Sequence, residues 1–440
     1  MDVYGLSDTV SGRQGIIKMY ELDISEELMC ELIGKRFVSM PTMVMEMTEE
    51  VDPKGLRYAA DMVMRKHPYF KTRLVKYGVS FKLDENNEEF PINKAELCDV
   101  LEFGNRASGN YQWMLTYSGN RIFIDVSHYI TDGSGAQVLA SDLIEYYAEY
   151  LEHKSETSVA EDKKRIAAEC ALPSDIAADS SVKPFYKQKK WQAAKFKDDV
   201  FTDKDSEGFI LFSIRLDEVK KAAQKAEVSP FAVFAPLLAR AARVLVKPEE
   251  DCRSIGVMFP FSARNLFDSV TFHNFVPTRT VIYDYDKLSN IDIELAATAC
   301  RAQMDLLTQK EDIIVELTQK AMARSMLSNE TARAAITANL NSAIHNPSQL
   351  TFTFMSHSRL SETALRHLVR NYFAVNASRG LNYVICAGIN DGKSVYLSIP
   401  DNFTSADFYN ELREEFSEAG IIYEEEYINY PCARFAILAE

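Results

Sequence analysis

A chain of 440 residues, 47% hydrophobic and 26% charged, exceeds one ordinary core and predicts two domains of roughly 150 to 220 residues each. Its formal net charge of -15 is the wrong sign for a surface that grips a phosphate backbone, which excludes nucleic-acid binding as the main task. The 7 cysteines, spread from Cys30 to Cys432 without a CxxC pair, exclude a disulfide framework and a cysteine-clustered zinc site, and read as reduced thiols in a cytoplasmic protein.

Residues 1–8 carry neither the basic nor the apolar stretch of a secretory signal. Leu56, Ala59, Ala60 and Val63 recur at helical spacing until Pro68 stops the helix and a β-prone run begins. Residues 111–117 and 121–128 flank Ser118, Gly119 and Asn120, which predicts a hairpin. In its second arm Ile122, Ile124, Val126 and His128 share one face, and Phe123, Asp125 and Ser127 the other. His128 is therefore expected to point inward with the isoleucines, at a strand end, where a general base can be mounted. Beyond Gly135, Ala136, Leu139, Ala140, Leu143, Ile144, Tyr147, Ala148 and Leu151 recur at intervals of three and four, a core-facing helix. Asp132 and Ser134 stand where side chains satisfy the free amides at its start.

Residues 153–208 turn charged and serine-rich, with a helical stretch over 163–170. The expected organisation is a first lobe over 1–155, a linker over 156–208 and a second lobe over 209–440. In the second lobe, strands are predicted at 209–216, 254–261, 276–283, 349–355, 382–387 and 394–400. Helices are predicted at 217–226, 230–246, 290–307 and 405–419, with Ser229 and Pro230 capping and starting the second of them. That apolar helix carries Arg240 and Arg243 and is too short to span a bilayer, so no membrane span is expected. Both lobes mix helices with sheets, an α/β class with mixed sheets. Neither a GxxxxGK[ST] nor a GxGxxG loop occurs, which leaves nucleotide hydrolysis and dinucleotide redox chemistry without support.

The residues His128, Asp132 and Gly133, an HxxxDG pattern between a strand and an amphipathic helix, resemble the chloramphenicol acetyltransferase-like superfamily. That superfamily includes alcohol acyltransferases, polyketide-associated acyltransferases and the condensation domains of peptide synthetases. Arg65 to Phe70, Pro260 to Asn265, His273-Asn274-Phe275 and Thr353 to Ser358 look like its further segments. The resemblance implies two similar lobes meeting at a central channel. It implies an acyltransferase of groups other than aminoacyl groups, acting on a hydroxyl or amine of a small molecule. The acyl donor would be acyl-coenzyme A or a carrier-bound phosphopantetheine thioester, with no permanently bound cofactor and no metal.

In this reading His128 is the general base, Asp132 makes a structural ion pair for which Arg264 is the candidate partner, and Gly133 leaves room for a pantetheine arm. Ser356 or Thr353 would supply an oxyanion donor, and Asn274 stands in a supporting segment. Ser127 stands where many members carry the first of two histidines, His273 replaces a small residue, and the DFGWG motif of the plant branch is absent. Two other readings stay open on the same fold: a stand-alone condensation enzyme joining carrier-bound units, and a non-catalytic binding protein. Residue by residue, plainer roles also stand. The plainer role of His128 is a satisfied strand-end histidine, that of Asp132 a helix cap, and those of His67, His273 and His357 packing groups without metal-ligand spacing. The basic run Lys183, Lys187, Lys189, Lys190, Lys195 and Lys197 reads as a solvated linker face or as a surface for coenzyme A phosphates or an acidic carrier protein.

Overall fold

The protein is seen in a computed structural model that describes residues 19–32, 41–95, 102–104, 108–152, 162–188, 191–198, 200, 208–248, 254–324, 326–327, 329–336, 349–355, 367–376, 384–389, 394–401, 403, 405–429 and 434–435. Two mixed sheets, each backed by helices, make an α/β structure of two lobes that meet at a central cleft.

The first sheet has five strands in the order Val369–Asn376, Pro41–Met47, Arg121–Val126, Trp113–Ser118 and Ile92–Lys94. Ser118 pairs with Arg121, so the hairpin turn is the two residues Gly119 and Asn120, and Gly119 takes the positive φ of 54° that the first position of such turns requires. Met43, Met45, Ile122, Ile124 and Val126 pack against helices Pro53–Lys66 and Gly133–Leu151. Val44 and Phe123, on the opposite face, pack against Phe209, Leu211, Tyr396 and Ile428 of the second sheet. Both faces are thus buried over most of Pro41–Met47, with Met43, Met45 and Met47 on one and Thr42 and Val44 on the other.

The second sheet has seven strands in the order Thr278–Asp284, Ser254–Pro260, Gln349–Met355, Val384–Ile389, Ser394–Pro400, Gly208–Arg215 and Tyr423–Asn429. Gln349–Met355 is parallel to both of its neighbours and lies inside the sheet, a placement that suits strands buried on both faces. Helices Leu216–Lys225, Pro230–Ala241, Ile293–Leu307 and Ala406–Glu418 contribute to the core on one face. Pro230–Ala241 is apolar because it is enclosed there, and no single helix among the described residues is long and apolar enough to cross a membrane. Ser229 occupies its N-cap position, but against expectation its side chain makes no capping bond.

The lobes do not follow the chain in two clean halves. Val369–Asn376 comes from the second half yet forms the edge of the first sheet, in register with Pro41–Met47. Ser398 Oγ then donates to Ala374 O at 2.8 Å, which links that strand to the second sheet. The bridge region is folded as well: Lys163–Glu169 and Pro173–Ala177 are helices, and Ala194 and Phe196 are buried in the second core.

Candidate active site

The strand carrying the histidine ends at Val126, two residues earlier than alternation predicts. Ser127 N still donates to Gln112 O at 2.9 Å, but Ile130 N then closes a turn onto Ser127 O at 3.1 Å. The turn breaks the two-residue period. Tyr129 and Ile130 enter the first core, whereas His128 is half-buried and lines the cleft rather than following the isoleucines inward. Ser127 is fully buried. The His128 Nδ1 is buried and has no hydrogen-bond partner among the described residues.

The second lobe holds this turn from behind. Asn274 Nδ2 donates to the His128 carbonyl at 2.5 Å, and Thr131 Oγ1 donates to Phe272 O at 2.6 Å. Asp132, only 1% exposed, accepts from four donors through its two carboxylate oxygens. Its Oδ1 accepts from Ser134 N at 2.9 Å and Gly135 N at 3.1 Å, capping helix Gly133–Leu151. Its Oδ2 accepts from Arg264 Nη1 at 2.8 Å and Phe275 N at 2.9 Å. Arg264 spends its other donors on Thr271 O at 2.8 Å and His273 O at 2.9 Å, so one guanidinium also shapes the loop that carries Asn274.

The cleft beside His128 has a volume of about 1000 Å³ and is walled by both lobes. The first lobe supplies His128, Gly133, Met43 and the start of the following helix; the second supplies Met258, Pro260, Thr351, Thr353 and Met355. A Cβ added at Gly133 would meet only Met355 Sδ, at an ordinary 3.7 Å, so protein packing does not demand glycine there. Gly135 is different, because a Cβ there would collide with the Thr131 hydroxyl, which is fully buried and already committed to Phe272 O. Gly135→Ala is expected to destabilise by about 1–3 kcal/mol through overpacking. Thr131→Ser, which keeps the hydroxyl, would not relieve it, whereas Thr131→Ala would. Urea unfolding of the single and double variants checks this.

No protein-family model matches the sequence, and none of the curated proteins matches it. Solved structures do. TRI101 of F. sporotrichioides, complexed with coenzyme A and T-2, aligns over 93% of this chain and 99% of its own, with a TM-score of 0.59 at 11% identity. The first condensation domain of the CDA synthetase aligns over 94% and 95%, with 0.59 at 10%. Polyketide synthase associated protein 5 from Mycobacterium tuberculosis aligns over 90% and 95%, with 0.55 at 12%. The chain has the chloramphenicol acetyltransferase-like fold.

On this fold His128, Asp132, Arg264 and Asn274 lie within one hydrogen-bonded assembly, and Gly133 and Thr353 line the same cleft from its two sides. Ser356 and His357 lie outside the described residues. Cys386 also lines the cleft, but burial pushes its thiol up to about 12, which removes it as a thiolate nucleophile. His273 is fully buried and faces Glu26 Oε2 through Nδ1 at 2.8 Å. Burial alone would lower this imidazole; the Glu26 carboxylate outweighs burial and raises it.

Sequence reasoning missed Glu26. Its Oε2 accepts from Asp23 N at 2.8 Å, the capping-box contact that an Asp-x-x-Glu pattern makes legible. Its Oε1 accepts from Asn274 N at 2.8 Å, a second role that only packing reveals. Through Asn274, this buried carboxylate reaches the backbone of His128.

His67 forms a second ionic group along the cleft. Its Nε2 lies 2.5 Å from Asp142 Oδ2 and its Nδ1 3.0 Å from Glu169 Oε2. Lys66 pairs with Asp142 at 2.9 Å, and Arg165, 3.1 Å from Nδ1, is itself neutralised by Glu169 at 2.6 Å. Burial alone would lower His67, but its hydrogen bonds with the two carboxylates outweigh burial and raise it. Burial pushes Asp142 up, and the His67 and Lys66 donors outweigh that and hold it down.

The sign of the pH dependence follows. The His67 contribution to stability is complete below the ordinary histidine value of about 6.5 and is lost as pH rises through the raised folded value. The Asp142 contribution is present above the ordinary carboxylate value and is lost as pH falls through the lowered one. The urea midpoint should therefore decline on both sides, with a shallower alkaline limb in His67→Gln. An alkaline limb of unchanged slope would reject the His67 assignment.

Proposed function

We propose that the protein is an acyltransferase that moves an acyl group from a thioester of coenzyme A, or of carrier-bound pantetheine, to a small-molecule acceptor. The observation that carries this reading is the half-buried His128 imidazole on the wall of an inter-lobe cleft, mounted on a turn that the opposite lobe holds through Asn274 and Arg264. A base held this way meets an acceptor and a thioester in a fixed geometry, and such positioning is worth more than proton transfer alone.

In the proposed reaction His128 takes the proton of the acceptor hydroxyl or amine as that atom attacks the thioester carbonyl. A tetrahedral oxyanion forms, with Thr353 on the cleft wall and Ser356 as candidate donors. Collapse breaks the carbon–sulfur bond, and the thiolate leaves with the proton that His128 held. Asp132 and Arg264 act as positioning residues, and Gly133 keeps the wall open beside the reacting atoms. The fold likeness to TRI101 crystallised with coenzyme A supports the donor class.

The comparable likeness to a condensation domain favours a second reading, in which both units arrive on carrier proteins. A panel of free acyl-coenzyme A thioesters and of acyl groups on a phosphopantetheinylated carrier, followed by release of free thiol, separates the two. Thiol release from neither donor with any acceptor would leave the non-catalytic binding reading.

A further inference from the structure

Apart from His128 and the buried Cys386 thiol, the ionisable side chains on the described wall of the cleft are all engaged with one another. Lys66 pairs with Asp142 at 2.9 Å, Arg165 with Glu169 at 2.6 Å and Arg264 with Asp132 at 2.8 Å, while His67 bridges Asp142 and Glu169. Each of these basic groups thus already contacts a carboxylate and each of these carboxylates a basic group, so none of them stands unpaired to receive a charged guest. The rest of the wall is largely apolar, and methionine recurs on both sides, with Met29 and Met43 from one lobe and Met258, Met304 and Met355 from the other. An unbranched thioether fits itself to irregular apolar shapes, and a cleft lined this way suits a hydrophobic guest.

We propose that the molecule held beside His128 is uncharged and largely apolar: as acceptor, a hydrophobic alcohol rather than an amino acid, a carboxylate or an ammonium-bearing amine. A charged guest loses its hydration on entering and finds the fixed charges of the described wall already paired. Among the described side chains of the wall, protonated His128 is the cation without a carboxylate contact that could meet a guest carboxylate, and protonation removes the base. An ammonium must shed its proton before it can attack. The inference takes its chemistry from the acyltransferase reading, while its binding half stands independently of turnover.

The test uses the full chain and Nile red, an uncharged fluorophore, displaced by octan-1-ol, 8-hydroxyoctanoate or 8-amino-octan-1-ol. Octan-1-ol should displace the dye at a concentration at least ~10-fold lower than either ionised analogue, in the native protein and in His128→Ala. In acyl transfer from acetyl-coenzyme A it should show a kcat/KM at least ~10-fold higher. Met355→Lys, which adds an unpaired cation to the wall, should shift the preference toward 8-hydroxyoctanoate. Equal or better displacement by an ionised analogue, absence of dye binding, or an order unmoved by Met355→Lys would overturn the proposal. Selective displacement without turnover of any acceptor would instead overturn the acyltransferase reading alone.

Discussion

Replacing His128 with alanine is expected to lower kcat for acyl transfer by about 10²- to 10⁴-fold, the range that a positioned proton acceptor contributes. The fold should survive, because the turn is held through the His128 carbonyl, which alanine keeps, and the imidazole Nδ1 has no partner to lose among the described residues. A half-buried side chain with no hydrogen bond at Nδ1 is a mild truncation, about 1 kcal/mol or less. Activity and stability should therefore separate cleanly in this variant, with thiol release lost and the urea midpoint nearly retained. Undiminished turnover in His128→Ala would sink the assignment of the base.

Arg264→Ala is expected to have the largest effect on stability. It leaves the Asp132 carboxylate buried without its cation and strips the Thr271 and His273 carbonyls of their donors. Breaking a buried pair by removing one partner costs about 3–5 kcal/mol. Arg264→Lys should recover little of this, since one ammonium cannot reproduce three contacts diverging from a planar guanidinium. Asp132→Ala adds the loss of a helix cap, worth about 0.5–2 kcal/mol. The double variant should be less destabilised than the sum of the singles, with a coupling of about 0.5–3 kcal/mol for residues in direct contact. Urea unfolding across the four proteins measures that coupling, and strict additivity would show that the pair does not act as a unit. Turnover should fall as well, because the same arginine orders the loop whose Asn274 holds the His128 carbonyl.

The hairpin arms, the helix after the HxxxDG turn and the central strands Gln349–Met355 and Ser394–Pro400 were legible because their signals are local: alternation, three-to-four spacing, and turn residues at the ends. Pro41–Met47 was not, because methionine carries little strand preference and Val44 breaks the polar face that Thr42 and Glu46 would otherwise mark. Tyr423–Asn429 escaped for the opposite reason: its exposed glutamates read as loop, and it is a strand only through backbone pairing with Gly208–Arg215 at the sheet edge. Val369–Asn376 shows the limit most clearly, since its sheet is chosen by Pro41–Met47, far away in the chain.

At the site, sequence by itself determined the strand, the turn and the capped helix that carry His128 and Asp132, because periodicity and capping act over a few neighbouring residues. Tertiary structure decided where the histidine faces, since the turn at Ser127 overrides the strand's period and sends His128 to the cleft. It also made Asp132 both a cap and an ion-pair partner, joined Glu26 to Asn274, and closed the charges around His67 on one another. These are contacts between groups separated by many tens to hundreds of residues, set by which buried charges and amides must find partners once the two sheets pack.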